Sequence, residues 1–311
     1  MIKYLTYWVA YSHLIPISLY VVLEMVKLAQ ANLIGKDVDI YDPETGFSLC
    51  RNSDLIEEMG QVQFIFSDKT GTLTCNVMEF KQCSIDGQIF PSLAHAHRTF
   101  DLSANKSEKE QITMRACHEF FKLMAVCHTV VLDIDKHTGK QVMQAASPDE
   151  LALVQGSADV GFKFVEKTND SIKIEIEYLK KFEKYTVLAE FPFDSTRKRM
   201  SLIVQEEISK KIIIMTKGAD SIMLPRTTIS AVNRQVVDYH LYKFACSGLR
   251  TLVMAQKELN LSEFNAWNAN YRQVLTSNTP DKEDKLCELY DQMEQRLDYV
   301  GSSAIEDLLQ D

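Results

Sequence analysis

The alternation of apolar and polar positions divides the chain into an apolar opening, a short buried-strand signal near residue 65, and a long stretch of mixed helical and strand periods. Leu5 to Val26 is nearly continuous in apolar residues, with Tyr4, Tyr7 and Trp8 at its start and Glu24 and Lys27 at its end. Its roughly 22 residues would make a helix of about 33 Å, enough to span a bilayer with an aromatic belt at one interface. A secretory signal peptide fits less well, because Pro16 interrupts the run and no small-x-small cleavage site follows. A buried soluble helix is the third reading. Val62 to Phe66 predicts a strand buried on both faces. Ala31 to Glu58 reads as a stalk and connector with a turn at Asp42-Pro43-Glu44-Thr45-Gly46. Val77 to Ile85 predicts a strand ended by a tight turn at Asp86-Gly87, and Gln88 to Lys106 a polar surface loop. Glu108 to Val126 carries Ile112, Ala116, Phe120, Leu123 and Val126 at helical spacing. A helix is predicted over Pro148–Asp159. Ile172, Ile174 and Ile176 alternate with Lys173, Glu175 and Glu177 as a half-buried strand. Phe182 to Phe191, Met200 to Gln205 and Lys211 to Thr216 continue an antiparallel sheet. Ala231 to Ala245 reads as a helix ended near Gly248, Thr251 to Gln256 as a returning strand, and Leu261–Leu275 and Lys282–Leu297 as amphipathic helices.

Composition narrows the picture. A chain of 311 residues has room for about two soluble domains, or one domain plus membrane. With 46% hydrophobic and 25% charged residues it can build an ordinary globular core. The net charge of −9 and the lack of a basic stripe exclude a nucleic-acid footprint. Seven cysteines without paired spacing suit a reducing cytosol. Cys117-His118, Cys127-His128 and His95-Ala96-His97 lack the C-x-x-C or H-x3-H spacing of a zinc site.

The densest chemistry follows Phe66, where the chain reads Ser67-Asp68-Lys69-Thr70-Gly71-Thr72-Leu73-Thr74. A strand end, a carboxylate and a flexible polar loop are how an open α/β sheet presents a reactive group. Asp68 can attack a phosphoryl group and form an aspartyl-phosphate. Lys69 adds positive charge, Thr70 can offer a hydroxyl to phosphate and a carbonyl to Mg²⁺, and Gly71 lets the backbone turn sharply. Asp and Gly alone would also suit a solvated turn, but the heptad Asp-Lys-Thr-Gly-Thr-Leu-Thr resembles the phosphorylation signature of the P-type ATPases.

Other segments extend that resemblance. Pro16 removes a helix hydrogen bond in mid-span, and such breaks are tolerated mainly along a polar path. Pro16-Ile17-Ser18-Leu19 resembles the fourth transmembrane helix of the lipid-flipping branch. Cation-pumping branches commonly carry a carboxylate where Ile17 stands, since a bare cation needs oxygen ligands. An apolar side chain cannot bind a cation but can line a lipid route, so Pro16, Ile17 and Ser18 are the candidate lipid path. Ser147-Pro148-Asp149-Glu150 is a capping box with proline at the first helical position, which alone would explain these residues. The longer run to Val154 resembles the family's nucleotide-binding insertion, where the glutamate (Glu150) contributes to the adenine pocket. The run Phe193-Asp194-Ser195-Thr196-Arg197-Lys198-Arg199-Met200-Ser201 is a basic turn after an aromatic. Out of context it suits an edge-strand charge cluster, yet an aromatic face with cations also suits adenine stacking and triphosphate attraction. With Lys217-Gly218-Ala219-Asp220 and Gly248-Leu249-Arg250-Thr251-Leu252 it resembles the nucleotide domain of lipid flippases. The resemblance implies that Phe193 stacks on adenine with Ser195 and Lys198 in the same turn, that Lys217 lines the pocket, and that Arg250 meets phosphate. Tyr299 to Leu308 resembles the re-entry into the phosphorylation domain, with Leu308 where flippases usually carry lysine.

The chain is thus similar to part of a type-IV P-type ATPase, a phospholipid flippase, over Pro16 to Asp307. The resemblance implies an α/β protein: a transmembrane helix (1–30), stalk and first part of a Rossmann-like (HAD-like) phosphorylation domain (31–85), an inserted α/β nucleotide-binding domain with an antiparallel sheet (86–297), and re-entry into the phosphorylation domain (298–311). It implies Mg²⁺ and ATP as cofactors, a phospholipid substrate, a membrane, and an accessory β-type subunit. It also implies a plasma-membrane or Golgi/endosomal location, with most of the chain cytosolic. Asp68 needs cytosolic ATP, which orients the Lys27 end of the span. Neither Asp-Gly-Glu-Thr nor Gly-Asp-Gly-x-Asn-Asp occurs, so the expectation is a fragment inactive by itself. The alternatives are a fragment of a cation-transporting P-type ATPase and a non-catalytic nucleotide-binding fragment.

Overall fold

The computed structural model describes residues 2–12, 16–43, 45–69, 71–102, 106–134, 141–168, 170–277 and 280–310. The chain forms two compact units, Met1–Ser67 and Asp68–Asp311.

In the first unit, α1 (Ile2–Ser12) and α2 (Ile17–Ile34) flank Pro16, whose missing N–H is harmless at a helix start. α2 runs eight residues past the predicted end at Val26, and none of its residues is buried. The stretch Lys3–Ile34 is long and apolar enough to cross a membrane by length and composition. Gly35 ends α2, its N–H bonding to the Ala31 carbonyl, and Ser48 returns to donate to the Ile34 carbonyl at 2.9 Å. A short helix, α3 (Leu55–Met59), follows. Val62 to Phe66 corrects the sequence reading: it forms no strand, and Phe66 is 95% exposed. The run has strand propensity, but no described strand pairs with it, and an unpaired strand gains neither ladder bonds nor burial.

The second unit is built on one large sheet with helices on both faces. Its elements are β1 (Thr74–Ile85), β2 (Gln88–Phe90), α4 (Leu93–Arg98), α5 (Glu108–Val126), β3 (Val131–Ile134), β4 (Gln141–Gln144), α6 (Pro148–Asp159), β5 (Phe162–Lys167), β6 (Ser171–Ile176), β7 (Lys181–Asp194), β8 (Arg199–Glu206), β9 (Ile212–Gly218), α7 (Asp220–Met223), β10 (Thr227–Thr228), α8 (Ala231–Cys246), β11 (Arg250–Leu259), α9 (Leu261–Thr276), α10 (Lys282–Met293) and β12 (Leu297–Leu309). The strand order is β2-β1-β12-β11-β9-β8-β7-β6-β5, with β10 beside β12 and a separate β3–β4 hairpin. Every described pairing between named strands is antiparallel except the short β10–β12 one.

Three local readings need correction. Gln88–Lys106 holds β2 and α4 rather than loop alone, because Ile89 and Phe90 pair back across the Asp86-Gly87 turn and Ser92 caps α4. Ile112 is exposed, since the burial of α5 is concentrated in its C-terminal half, where Phe120 to Val126 are all buried. The last amphipathic helix stops at Met293, and Leu297 already begins β12.

α5 and α6 cover one sheet face over a core of Phe120, Phe121, Leu153, Phe162, Ile172, Ile174, Met215 and Met254. α8, α9 and α10 cover the other, over Phe191, Ile203, Ile214, Val253, Trp267 and Tyr290. Gly156 lets α6 close on β1: a Cβ there would lie 2.9 Å from Phe80. The first turn of α6 reaches the middle of the sheet, where Glu150 meets Lys217 of β9.

Candidate functional site

Four of the sequence-predicted residues meet on the α6 face of the sheet. Met200 of β8, Lys217 of β9 and Met254 of β11 stand side by side in register. Directly paired residues share a face. Phe191 is buried on the α10 face, its ring centroid 4.2 Å from that of Tyr290. A bulge between Phe191 and Asp194 then shifts the register, so that Asp194 pairs with Arg199. Arg199 binds Glu294 beside α10, so the residue before Asp194 is turned the other way. Phe193 therefore lies on the Met200–Lys217 face, 64% exposed, its ring free to take a flat partner.

α6 brings carboxylates to that face. Ser147 caps it by accepting from the Asp149 N–H at 3.3 Å, with Pro148 in the first helical position. The expected capping box is not made: the Ser147 side chain accepts from the second helical N–H, that of Asp149, and not from the third, that of Glu150. Glu150 does not reach back to Ser147; its Oε1 lies 2.6 Å from Lys217 Nζ, and its Oε2 accepts from the Thr129 hydroxyl and, at 3.3 Å, the Thr129 N–H. Burial pushes the Glu150 pKa up, but the Lys217 ammonium and the Thr129 bonds outweigh it, leaving the carboxyl below its ordinary range. Next to them the imidazole of His128 is fully buried. Burial first, then the cations Lys217 and Lys167, hold it down to about 3, so it is neutral at physiological pH. Arg250 Nη1 lies 2.7 Å and 3.0 Å from the two carboxylate oxygens of Asp149. Thr251 donates to Asp220, which ties the Lys217–Asp220 segment to the Arg250 strand.

The basic turn divides. Arg197 and Arg199 are buried and bound to Glu294 on the α10 face. They do not add to a phosphate-attracting surface, as the turn's composition suggested. Ser195 and Lys198 are exposed, Lys198 with a left-handed φ of 51°. Sequence reasoning missed Thr129, which follows the Cys127-His128 pair, and Glu294, which lies within the predicted helix Lys282–Leu297.

Asp68 opens the second unit. The Lys69 N–H donates to Asp68 Oδ1 at 2.8 Å, and the Lys69 carbonyl accepts from Leu73 and Thr74, closing a tight loop through Gly71 at φ 79°. The Gln310 N–H fastens the loop to the end of β12 through the Leu73 carbonyl at 3.1 Å. Lys69 Nζ lies 3.7 Å from Asp307 Oδ2. Thr70 lies outside the described residues. Glu150, Phe193, Lys217 and Arg250 thus share one face, while Asp68 and Lys69 lie in a loop against β12.

A family model described as "P-type ATPase, cytoplasmic domain N" matches residues 116–311. The chain belongs to the P-type ATPases. It is 38% identical, over 99% of its length, to a phospholipid-transporting ATPase of Schizosaccharomyces pombe, covering 25% of that relative. It is equally 38% identical, over 99% of its length, to the phospholipid-transporting ATPase DRS2 of Saccharomyces cerevisiae, covering 24% of it. A probable phospholipid-transporting ATPase of Arabidopsis thaliana is 34% identical over 96% of this chain and 29% of the relative. The chain therefore spans about a quarter of the length of the two fungal relatives.

The P-type ATPases generally use Mg²⁺ with ATP. Magnesium is commonly held by one or two carboxylates together with substrate phosphates. Asp68 supplies such a carboxylate, and Asp307, across Lys69, carries a buried Oδ1 with no hydrogen-bond partner. The oxygen donors at the loop suit a hard cation. Among the described residues no group of three or more His, Cys, Asp and Glu side chains could hold a metal alone.

Proposed function

We propose that this chain is the phosphorylation loop and nucleotide-binding domain of a phospholipid-transporting P-type ATPase. The observation that carries the reading is the convergence of Glu150, Phe193, Lys217 and Arg250, from four separate elements, on the α6 face of one sheet. In it, adenine stacks on the exposed ring of Phe193, between the Lys217–Glu150 pair and the turn bearing Ser195 and Lys198. Lys217 is held by a buried carboxylate and stays in the pocket wall. Arg250 is paired with Asp149 at an exposed site, where such a pair contributes at most about 1 kcal/mol, so it can exchange Asp149 for a phosphate oxygen.

The reaction assigned to Asp68 is phosphoryl transfer. A carboxylate oxygen bonds to the γ-phosphorus, the bond from that phosphorus to the β–γ bridging oxygen breaks, and ADP leaves. Lys69 contributes charge beside the transferring group. Asp68 and the Thr70 carbonyl would hold Mg²⁺ together with nucleotide oxygens, and the ion would supply neutralisation of negative charge there. Residues 31–85 and 298–311 are assigned to the Rossmann-like phosphorylation domain and 86–297 to the nucleotide domain. The Lys3–Ile34 stretch is assigned to the membrane, with Pro16, Ile17 and Ser18 along a path taking phospholipid from the exoplasmic to the cytosolic leaflet. A β-type subunit would accompany the whole protein. Ile17, in place of a carboxylate, speaks against a cation pump.

The test is titration of the detergent-purified chain with a fluorescent ATP analogue. Phe193→Ala should weaken binding by about 1–3 kcal/mol, the usual worth of base–aromatic stacking. Equal affinities in parent and variant would remove Phe193, and this face, from nucleotide binding.

A further inference from the structure

The most deeply buried charge cluster lies on the face opposite the nucleotide residues. Glu294, at the end of α10, is 0% exposed. Its Oε1 accepts from Arg197 Nη2 at 2.5 Å and from Ser201 at 2.6 Å, and its Oε2 from Arg199 Nε at 2.6 Å. Each arginine also grips the turn between β7 and β8. Arg197 Nη1 donates to the Pro192 carbonyl at 3.2 Å, and Arg199 Nη1 to the Arg197 carbonyl at 3.1 Å. The Arg197 guanidinium lies 4.8 Å from the Tyr290 ring centroid, and Arg199 reaches Asp291 at 3.0 Å. The turn is fastened to β9 as well: the Ala219 N–H donates to the Lys198 carbonyl at 3.0 Å, and a Cβ on Gly218 would lie 2.6 Å from Arg199 Cβ.

We propose that Glu294 is a positioning residue for the nucleotide face, acting through the buried Arg197–Glu294–Arg199 triad. The proposal rests on the nucleotide reading above. The triad holds the backbone immediately before Phe193, at Pro192, and immediately around Lys198. It thereby fixes the bulge that turns Phe193 toward Met200 and Lys217. Buried ion triads are poor sources of stability, because desolvation offsets their attraction and apolar replacements of similar volume are often neutral or better. Their hydrogen bonds are directional where apolar packing is not. A ring held before the ligand arrives loses less freedom on binding, and preorganisation of this kind appears as affinity.

The experiment uses the full 311-residue chain and three variants, each measured for ATP-analogue affinity, melting temperature and amide hydrogen exchange over residues 193–199. Glu294→Gln leaves two buried arginines around a neutral amide and can fail to fold. The triple variant Arg197→Leu/Arg199→Met/Glu294→Met removes all three charges together and leaves Asp291 its partner Arg226. It should melt within a few degrees of the parent, bind ATP roughly tenfold more weakly and exchange the turn amides roughly tenfold faster. Phe193→Ala is the third. If it loses affinity while the folded triple variant keeps both affinity and turn protection, the triad is structural only and the proposal fails. If Phe193→Ala keeps parent affinity, the nucleotide reading fails and the proposal with it. Loss of affinity in the triple variant at unchanged melting temperature is the result the proposal requires.

Discussion

The two faces of the sheet carry ion clusters made from the same residue types, and burial separates their roles. On the α10 face Glu294 is sealed from water and accepts from two arginines and a serine. On the α6 face Lys217 and Glu150 pair one to one, and Arg250 stays 56% exposed beside Asp149. The first cluster has no room for a ligand and holds the turn. The second lies beside an exposed aromatic ring, with one cation free to change partners. Charge alone does not mark a phosphate site; what matters is which cations the fold has already committed.

The largest test of this contrast removes the sealed carboxylate. Glu294→Ala leaves Arg197 and Arg199 without their shared partner and should destabilise the chain by about 3–5 kcal/mol. At about 2–4 °C per kcal/mol for a unit of this size, the melting temperature should fall by roughly 6–20 °C. A drop of only a degree or two would mean that the triad is solvated.

A middle-sized effect comes from acid on the α6 face. The folded pKa of His128, about 3, lies below the ordinary value of 6.5. The unfolded chain therefore binds a proton that the folded chain refuses, and stability falls as pH drops below about 6.5, by about 2 kcal/mol at pH 5. Glu150 has the usual sign for a carboxylate. Its lowered folded pKa stabilises the fold above the ordinary carboxylate range, and that contribution is lost as pH falls further. His128→Gln should flatten the loss between pH 6.5 and 5 in denaturant titrations. An unchanged slope would place that loss elsewhere.

The smallest effect belongs to the exposed pair. Arg250→Ala should change stability by less than about 1 kcal/mol while weakening ATP-analogue binding. A large stability loss with unchanged binding would make Arg250 a structural residue and sink the contrast on that face.

The sequence was legible where one period ruled one element. α5, α6 and α8 lie within a residue of their predicted bounds, and the strands around Ile172–Ile176 and Lys211–Thr216 stand where alternation put them. It was misleading where an element's partner decides its state. Val62–Phe66 has strand composition but no described pairing strand. For the candidate site, motifs named Glu150, Phe193, Lys217 and Arg250, but spacing could not say that the bulge at Pro192 would send Phe193 to one face and Arg199 to the other. Nor could it find Glu294, since a carboxylate at the polar end of an amphipathic helix has the pattern of a solvated one. Its role comes from a contact 97 residues away in sequence.

The central claim is that nucleotide binds on the α6 face. Hydrogen exchange of the whole chain with and without ATP tests it directly, because bound ligand slows the opening of the segments it contacts. The account predicts slowed exchange at the turn 193–200, at Lys217–Ala219, at the start of α6 and at Arg250, with α9 and the cleft between α4 and α5, lined by His95, Arg98, Lys106 and Lys109, unchanged. Protection at that cleft with none around Phe193 and Lys217 would contradict it.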